Sequence, residues 1–207
     1  LFAGLFIIAL GVGITKRAAL GISPLSSLAN VLSCRFTALS LGTWIFLWSA
    51  LLTASQVVML GKRFDKVQLL QIPLSWLFGL FTDLCTAMMG AILPEGIYGV
   101  RILYVALGTF VLALGTALTV IADVLMNAGE AFVNTLARVT GKEFGVVKRW
   151  ADLSVVSLAL LCSLIFFGWP PVGVREGTII SALLNGTFAG VWLKLLRSPV
   201  EKLLVKE

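Results

Sequence analysis

The sequence predicts an all-α polytopic membrane protein, six transmembrane helices arranged as two inverted three-helix repeats, each with a short polar helix that is re-entrant or interfacial. Three observations predict it. Hydrophobic residues make up 59% of the 207 residues and charged residues 13%, with a mean hydropathy of +1.03. Soluble domains run at about half apolar and about a quarter charged. Second, the apolar residues gather in six runs, and third, the start of the chain recurs at its middle. A soluble domain of this length cannot hide so much apolar surface. The composition therefore excludes a soluble enzyme, a nucleic-acid module, a disordered chain and a secreted disulfide scaffold.

The runs cover residues 1–15, 41–60, 69–91, 102–122, 146–168 and 178–196. A membrane-crossing helix needs about 20 residues, so the first run reads as one trimmed at its start. That run leads directly into Lys16 and Arg17 without a small-residue cleavage site, which argues against a signal peptide. The breaks at Gly61-Lys62-Arg63-Phe64-Asp65-Lys66, Pro94-Glu95-Gly96 and Gly168-Trp169-Pro170-Pro171 combine turn formers with charge or an interfacial aromatic. With the N-terminus cytoplasmic, 11 of the 16 Lys and Arg residues fall on the inner side, among them Lys62, Lys142 and Lys202. The outer side keeps Lys16, Arg17, Arg35, Arg101 and Arg175. Basic residues favour the cytoplasmic side, so both termini are expected inside.

Two further segments, 23–36 and 127–140, are helical in pattern but too short and polar to cross. Ser23-Pro24 sets an N-cap residue before a proline at the first helical position. Asn127 and Glu130 have capping-box spacing. Shifting the chain by 104 lays residues 4–32 over 108–136 without a gap, with nine identities in 29 positions. These include Gly4/Gly108, Gly11/Gly115, Thr15/Thr119 and Asn30/Asn134. Three crossings per half is an odd number, so the second half must run opposite to the first, a plan common among secondary transporters. The units are then 1–92, 101–197 and a cytoplasmic tail, 198–207.

The stretch Leu20-Gly21-Ile22-Ser23-Pro24, following the Ala9 to Gly13 skeleton, resembles the YczE/YyaS/YitT-like bacterial membrane proteins. So do Gly79-Leu80-Phe81-Thr82-Asp83 and Glu176-Gly177-Thr178-Ile179-Ile180. The resemblance covers nearly the whole chain. Where that family has an acidic residue two after the proline, this chain has Ser26. The resemblance implies a multi-pass protein of the bacterial cytoplasmic (inner) membrane and leaves its activity open.

Ionisable residues at membrane depth are expensive and therefore candidates for function. Asp83 lies well inside the third run, against the alternative of a hydrogen bond to a neighbouring helix. Asp123 and Glu130 flank the second short helix and suit either a cap or a ligand contact. Lys16 and Arg17 flank the first, where snorkelling to headgroups is the simpler role. A repeat-related site would bring one of these cations to Asp123 or Glu130 across the halves. Asn30 and Asn134 should point to the interior, because polar groups in a membrane need partners. Asp152 is expected to pair with Lys148 at i, i+4. The expected solute-binding set is Lys16, Arg17, Ser23, Ser26, Asn30, Asp83, Asp123, Asn127, Glu130 and Asn134.

There is no histidine, and Cys34, Cys85 and Cys162 are far apart, so no cofactor, metal site or catalytic centre is expected. The leading expectation is a transporter or carrier of a small solute, an anion among the options. The alternatives are a non-transporting scaffold or regulatory partner, and a vitamin-binding subunit of an importer. The expected partners are the bilayer and a small molecule, with no nucleic acid; a second copy or another membrane protein stays open as a further one.

Overall fold

The computed structural model of the chain describes residues 1–122 and 126–204, the side chains of residues 63, 145 and 197–204 excepted. All regular structure among them is helical. In chain order the helices are α1 (Phe2–Ala18), α2 (Pro24–Arg35), α3 (Leu41–Leu60), α4 (Gln71–Ile92), α5 (Tyr98–Ala122), α6 (Ala128–Thr140), α7 (Phe144–Phe167) and α8 (Glu176–Leu204). Two 3-10 turns, Gly61–Arg63 and Lys66–Leu70, join α3 to α4. Five of the helical stretches, Leu41–Leu60, Lys66–Ile92, Tyr98–Ala122, Val146–Phe167 and Glu176–Leu196, are long and apolar enough to cross a membrane. The first run, expected as a sixth, forms a helix of 17 residues and falls short of that length.

Local chemistry sets the ends. Ser40 Oγ accepts from Thr43 N at 3.1 Å and starts α3, and Asp65 Oδ1 accepts from Val67 N at 3.0 Å to start the second 3-10 turn. The short helices α2 and α6 begin where expected, at N-cap residues Ser23 and Asn127, with Pro24 in the first turn of α2. The expected caps do not form, however. Neither N-cap side chain accepts a bond from its own helix, so the capping box of Asn127 and Glu130 is absent. Both side chains are turned instead to open space, described below.

The packing is organised around α1 and α5. These two helices cross antiparallel through their glycines. A Cβ at Gly11 would lie 2.6 Å from the Gly108 carbonyl oxygen, and one at Gly115 would lie 2.7 Å from that of Gly4. Gly4 also faces Thr119, as Gly108 faces Thr15; Gly11 faces Leu112, as Gly115 faces Ile8. In an apolar solvent helices gain little from hiding oil, so backbone approach through small residues is what holds them. Around this crossing α1 packs on α4 and α5 on α8, while α2 packs on α7 and α6 on α3. Hydroxyls and amides tie the layers together. Thr109 and Ser181 share a hydrogen bond of 2.9 Å between α5 and α8. Gln56 Nε2 of α3 donates to Gln71 of α4 and to the Ala128 carbonyl of α6, both at 3.3 Å. Such interhelical bonds contribute about 0.6–2 kcal/mol each in membranes.

Candidate functional site

The N-termini of the two short helices meet over the α1–α5 crossing. Leu25 of α2 lies directly on Gly129 of α6, where an added Cβ would come within 2.9 Å of Leu25 Cδ1. Under the 104-residue shift these two are the same position, so the pair marks the point where the halves touch like to like. A cavity of about 260 Å³ opens beside it. Its floor is Ile8 and Val12 of α1 with Leu112, Thr116 and Thr119 of α5. Ser23, Pro24 and Ser26 of α2 line it together with Asn127 and Glu130 of α6. Lys148, Arg149 and Asp152 of α7 and Asn185 of α8 close the wall.

The electrostatics of this chamber are mixed. Lys148 Nζ bonds Asp152 Oδ1 at 3.2 Å, the i, i+4 pair expected from the sequence. Glu130 lines the chamber in the first turn of α6, which does not span the membrane. Burial pushes its carboxyl above the usual carboxylate range; the charge on Lys148 works the other way and that on Asp152 adds to the rise. Among the described residues no hydrogen bond ties Glu130 to a neighbour. Asn185 Oδ1 is buried on the same wall without a hydrogen-bond partner. Polar atoms left this way cost about 1–3 kcal/mol, so a ligand that reaches them is stabilised.

A second, wider basin of about 500 Å³ lies on the outer flank of α6. Asn134 and Arg138 of α6 line it together with Asp65 and Gln68 of the α3–α4 connection. Thr119, Asn127 and Glu130 line both spaces, which places Glu130 between basin and chamber.

The expected binding residues divide into three groups. Ser23, Ser26, Asn127 and Glu130 come together at the chamber, and Asn134 lines the basin. Lys16, Arg17 and Asn30 lie elsewhere. Lys16 Nζ donates to Asn30 Oδ1 and lies 3.5 Å from Cys34 Sγ, while Asn30 Nδ2 donates to the Gly173 carbonyl. Arg17 donates to the Leu93 carbonyl at 2.7 Å and pairs with Glu95 at 3.5 Å. Asp83 stands apart. Its Oδ1 accepts from Gly42 N at 2.7 Å and Oδ2 from the Ser40 hydroxyl, so it caps the start of α3. Asp123 lies outside the described residues.

Of the contacts expected across the halves, directly or through solute or water, a direct one from Lys16 or Arg17 to Glu130 is not made among the described residues, and Asp123 lies outside them. The antiparallel crossing supplies the reason. It sends matched positions to opposite ends of the α1–α5 pair unless they sit at its centre, and Lys16 is near one end. Sequence reasoning missed Lys148, Arg149 and Asp152 as chamber residues, having assigned them to the inner surface. The available signal was their depth, five to nine positions into α7.

A family model matches residues 1–194, which contain both spaces. The chain belongs to DUF6198, a family of unknown function. No curated protein and no solved structure matches the chain. For this DUF6198 chain the functional reading therefore rests on the chamber itself.

Proposed function

We propose that the chain is a carrier for a small solute, built of two inverted repeats with the chamber as its binding site. The observation that carries this reading is the polar chamber where both short helices begin, over the α1–α5 crossing. Transporters with inverted repeats place their sites at such a meeting of broken or short helices near the midplane. The reciprocal glycine contacts support the repeat. Position by position, what α1 presents to α5 is what α5 presents to α1, the signature of a two-fold relation. So does the exchange of partners, in which α2 rests on α7 and α6 on α3. On this reading α1 is the sixth crossing, and matched segments cross in opposite directions.

The excess of basic residues at the α6 side orients that side to the cytoplasm, with both termini there, in a bacterial inner membrane. The resemblance to the YczE/YyaS/YitT-like proteins fits this placement. A scaffold would have a filled centre, and the chamber argues against that alternative. The chain moves its solute without catalysing a reaction on it.

The test is a thermal-shift screen of the purified chain against a metabolite library, followed by counterflow of each hit in proteoliposomes. Ligands that bind the folded state raise its apparent stability. A stabilising solute that exchanges across the membrane supports the carrier. Stabilisation without exchange, by every hit, overturns it.

A further inference from the structure

We infer that a further cavity, where α1 and α4 end and α5 begins, binds a phosphoryl oxyanion, either free phosphate or a lipid headgroup. The cavity measures about 230 Å³ and shares no lining residue with the chamber, so the inference does not rest on the carrier reading. Lys16 and Arg17 from the last turn of α1 line it together with Arg101 from the first turn of α5. Among the described residues a single carboxylate, that of Glu95, lines it with them.

Hydrogen-bond donors there outnumber their acceptors. Lys16 Nζ donates to the uncharged amide of Asn30, so no carboxylate answers its charge. Arg17 Nε donates to the Leu93 carbonyl at 2.7 Å, and Arg101 Nε to the Gly96 carbonyl at 2.9 Å. Both guanidinium groups keep further N–H groups to give. Glu95 meets Arg17 at 3.5 Å with its own side chain 80% exposed, and so exposed a pair is weak. Thr86 lines the same cavity, and its Oγ1 is buried without a hydrogen-bond partner.

Two simpler accounts do not cover all three cations. A helix end rich in carbonyls favours Lys16 and Arg17 in the last turn of α1. Arg101 stands in the first turn of α5, where the helix end is itself positive and a cation is disfavoured. Snorkelling would carry each charge outward into water. Here all three residues are half-buried around one space. A tetrahedral oxyanion brings several acceptor oxygens and at least one negative charge, and guanidinium forks match its edges. Exposed Ile92, Ile97 and Tyr98 flank the connection that carries Glu95, so a lipid headgroup can reach the cavity as free phosphate can. Basic pockets between membrane helices hold such headgroups.

The experiment uses the purified full chain in detergent, its melting followed by tryptophan fluorescence at constant ionic strength. One arm adds sodium phosphate against sodium chloride, and the other adds phosphatidylglycerol against phosphatidylcholine. Phosphate, phosphatidylglycerol or both should raise the melting temperature with dose beyond the paired control. Arg101→Gln should raise the concentration needed for half of that response about tenfold, as expected for loss of charge-assisted hydrogen bonds. Arg101→Lys, which keeps the charge, should retain part of the response. Thr86→Val, which removes only the hydroxyl, should weaken it severalfold and decides the matter if Arg101→Gln does not fold. Lys62→Gln removes an equal charge from the exposed α3–α4 connection and should leave the response unchanged.

A response to phosphate alone assigns the site to the free ion, and one to phosphatidylglycerol alone assigns it to the headgroup. No response in either arm overturns the site. So does a response that Lys62→Gln weakens as much as Arg101→Gln, or one that survives both Arg101→Gln and Thr86→Val.

Discussion

The short helices α2 and α6 start from matched positions and share an asparagine at matched places, yet their surroundings differ. Asn30 of α2 is 2% exposed and bonded at both ends of its amide, accepting from Lys16 and donating to the Gly173 carbonyl. The connection that supplies Gly173 is fastened further by the bridge between Gly21 and Val174 and by Gly177 N donating to the Leu20 carbonyl at 2.9 Å. Asn134 of α6 has only a weak contact with Met126 Sδ at 3.8 Å and looks into the open basin. Asn30 is thus enclosed while Asn134 faces open space, and Lys16 lines the separate cavity of about 230 Å³ with Arg17 and Glu95. Sequence similarity between the halves has not imposed the same state on both. On the carrier reading, this is what a molecule open to one side of the membrane looks like, and the same parts in exchanged roles would open the other side.

The largest effect should come from breaking the crossing on which that exchange turns. Gly108→Leu puts a side chain where even a Cβ would lie 2.6 Å from Thr15 Cγ2 and 2.9 Å from the Gly11 carbonyl oxygen. Overpacking costs about 1–3 kcal/mol when neighbours can yield, and a carbonyl on a packed helix cannot. The variant should lose its folded peak in detergent chromatography. A variant that folds and melts like the parent would show that α1 and α5 are not held by this contact, and the comparison of halves would lose its pivot.

The next effect tests the difference directly. Asn30→Ala strips partners from the Lys16 ammonium and from a carbonyl, and should destabilise by about 2–3 kcal/mol. Asn134→Ala removes only a weak sulfur contact and should cost below about 0.5 kcal/mol. Thiol labelling sharpens the same point. In a chain with Cys34, Cys85 and Cys162 replaced by alanine, Asn134→Cys should react with a water-soluble maleimide from the α6 side much faster than Asn30→Cys does. Equal costs and equal labelling rates would mean that the two helices are enclosed alike.

These contrasts also show which parts of the molecule local chemistry can announce. The short helices were legible because Ser23-Pro24 and Asn127 set a helix start whatever surrounds them. The 104-residue shift likewise made the glycines of α1 and α5 legible as packing residues. What the shift could not tell is which glycine meets which, since that depends on the antiparallel sense of the crossing. The failed caps are a tertiary effect. An N-cap side chain satisfies its own helix only if nothing else competes for its direction, and at Ser23 and Asn127 the chamber lies there.

At Asp83 the structure shows the alternative named from the sequence, a hydrogen bond to a neighbouring helix. A carboxylate inside an apolar run looks costly until the neighbouring helix end that needs it is in place, here Gly42 N and the Ser40 hydroxyl. Lys148 and Asp152 were legible as a pair but not as a wall. Charges shortly inside an apolar run read the same whether they reach the membrane surface or an internal space.

The smallest expected effect concerns how the open side would close. The connection between α7 and α8 covers Asn30 of α2; its counterpart in the first half is the connection between α3 and α4, which carries Asp65 and Gln68 on the lip of the basin. Arg138 of α6 stands on the other lip, and both charged residues are exposed. Gln68 Oε1 is buried without a partner, as an acceptor awaiting a donor would be. Closure by the same movement would bring Asp65 toward Arg138. An exposed ion pair contributes about 0–1 kcal/mol, so Asp65→Arg should barely move the melting temperature. It should nevertheless hold the lips apart and raise the labelling rate of Asn134→Cys, with the difference shrinking in high salt as exposed charges are screened. Exchanging the charges, Asp65→Arg with Arg138→Asp, should bring the rate back toward that of the parent. A rate that stays high in the exchanged pair would mean that the α3–α4 connection does not close over α6 as the α7–α8 connection closes over α2.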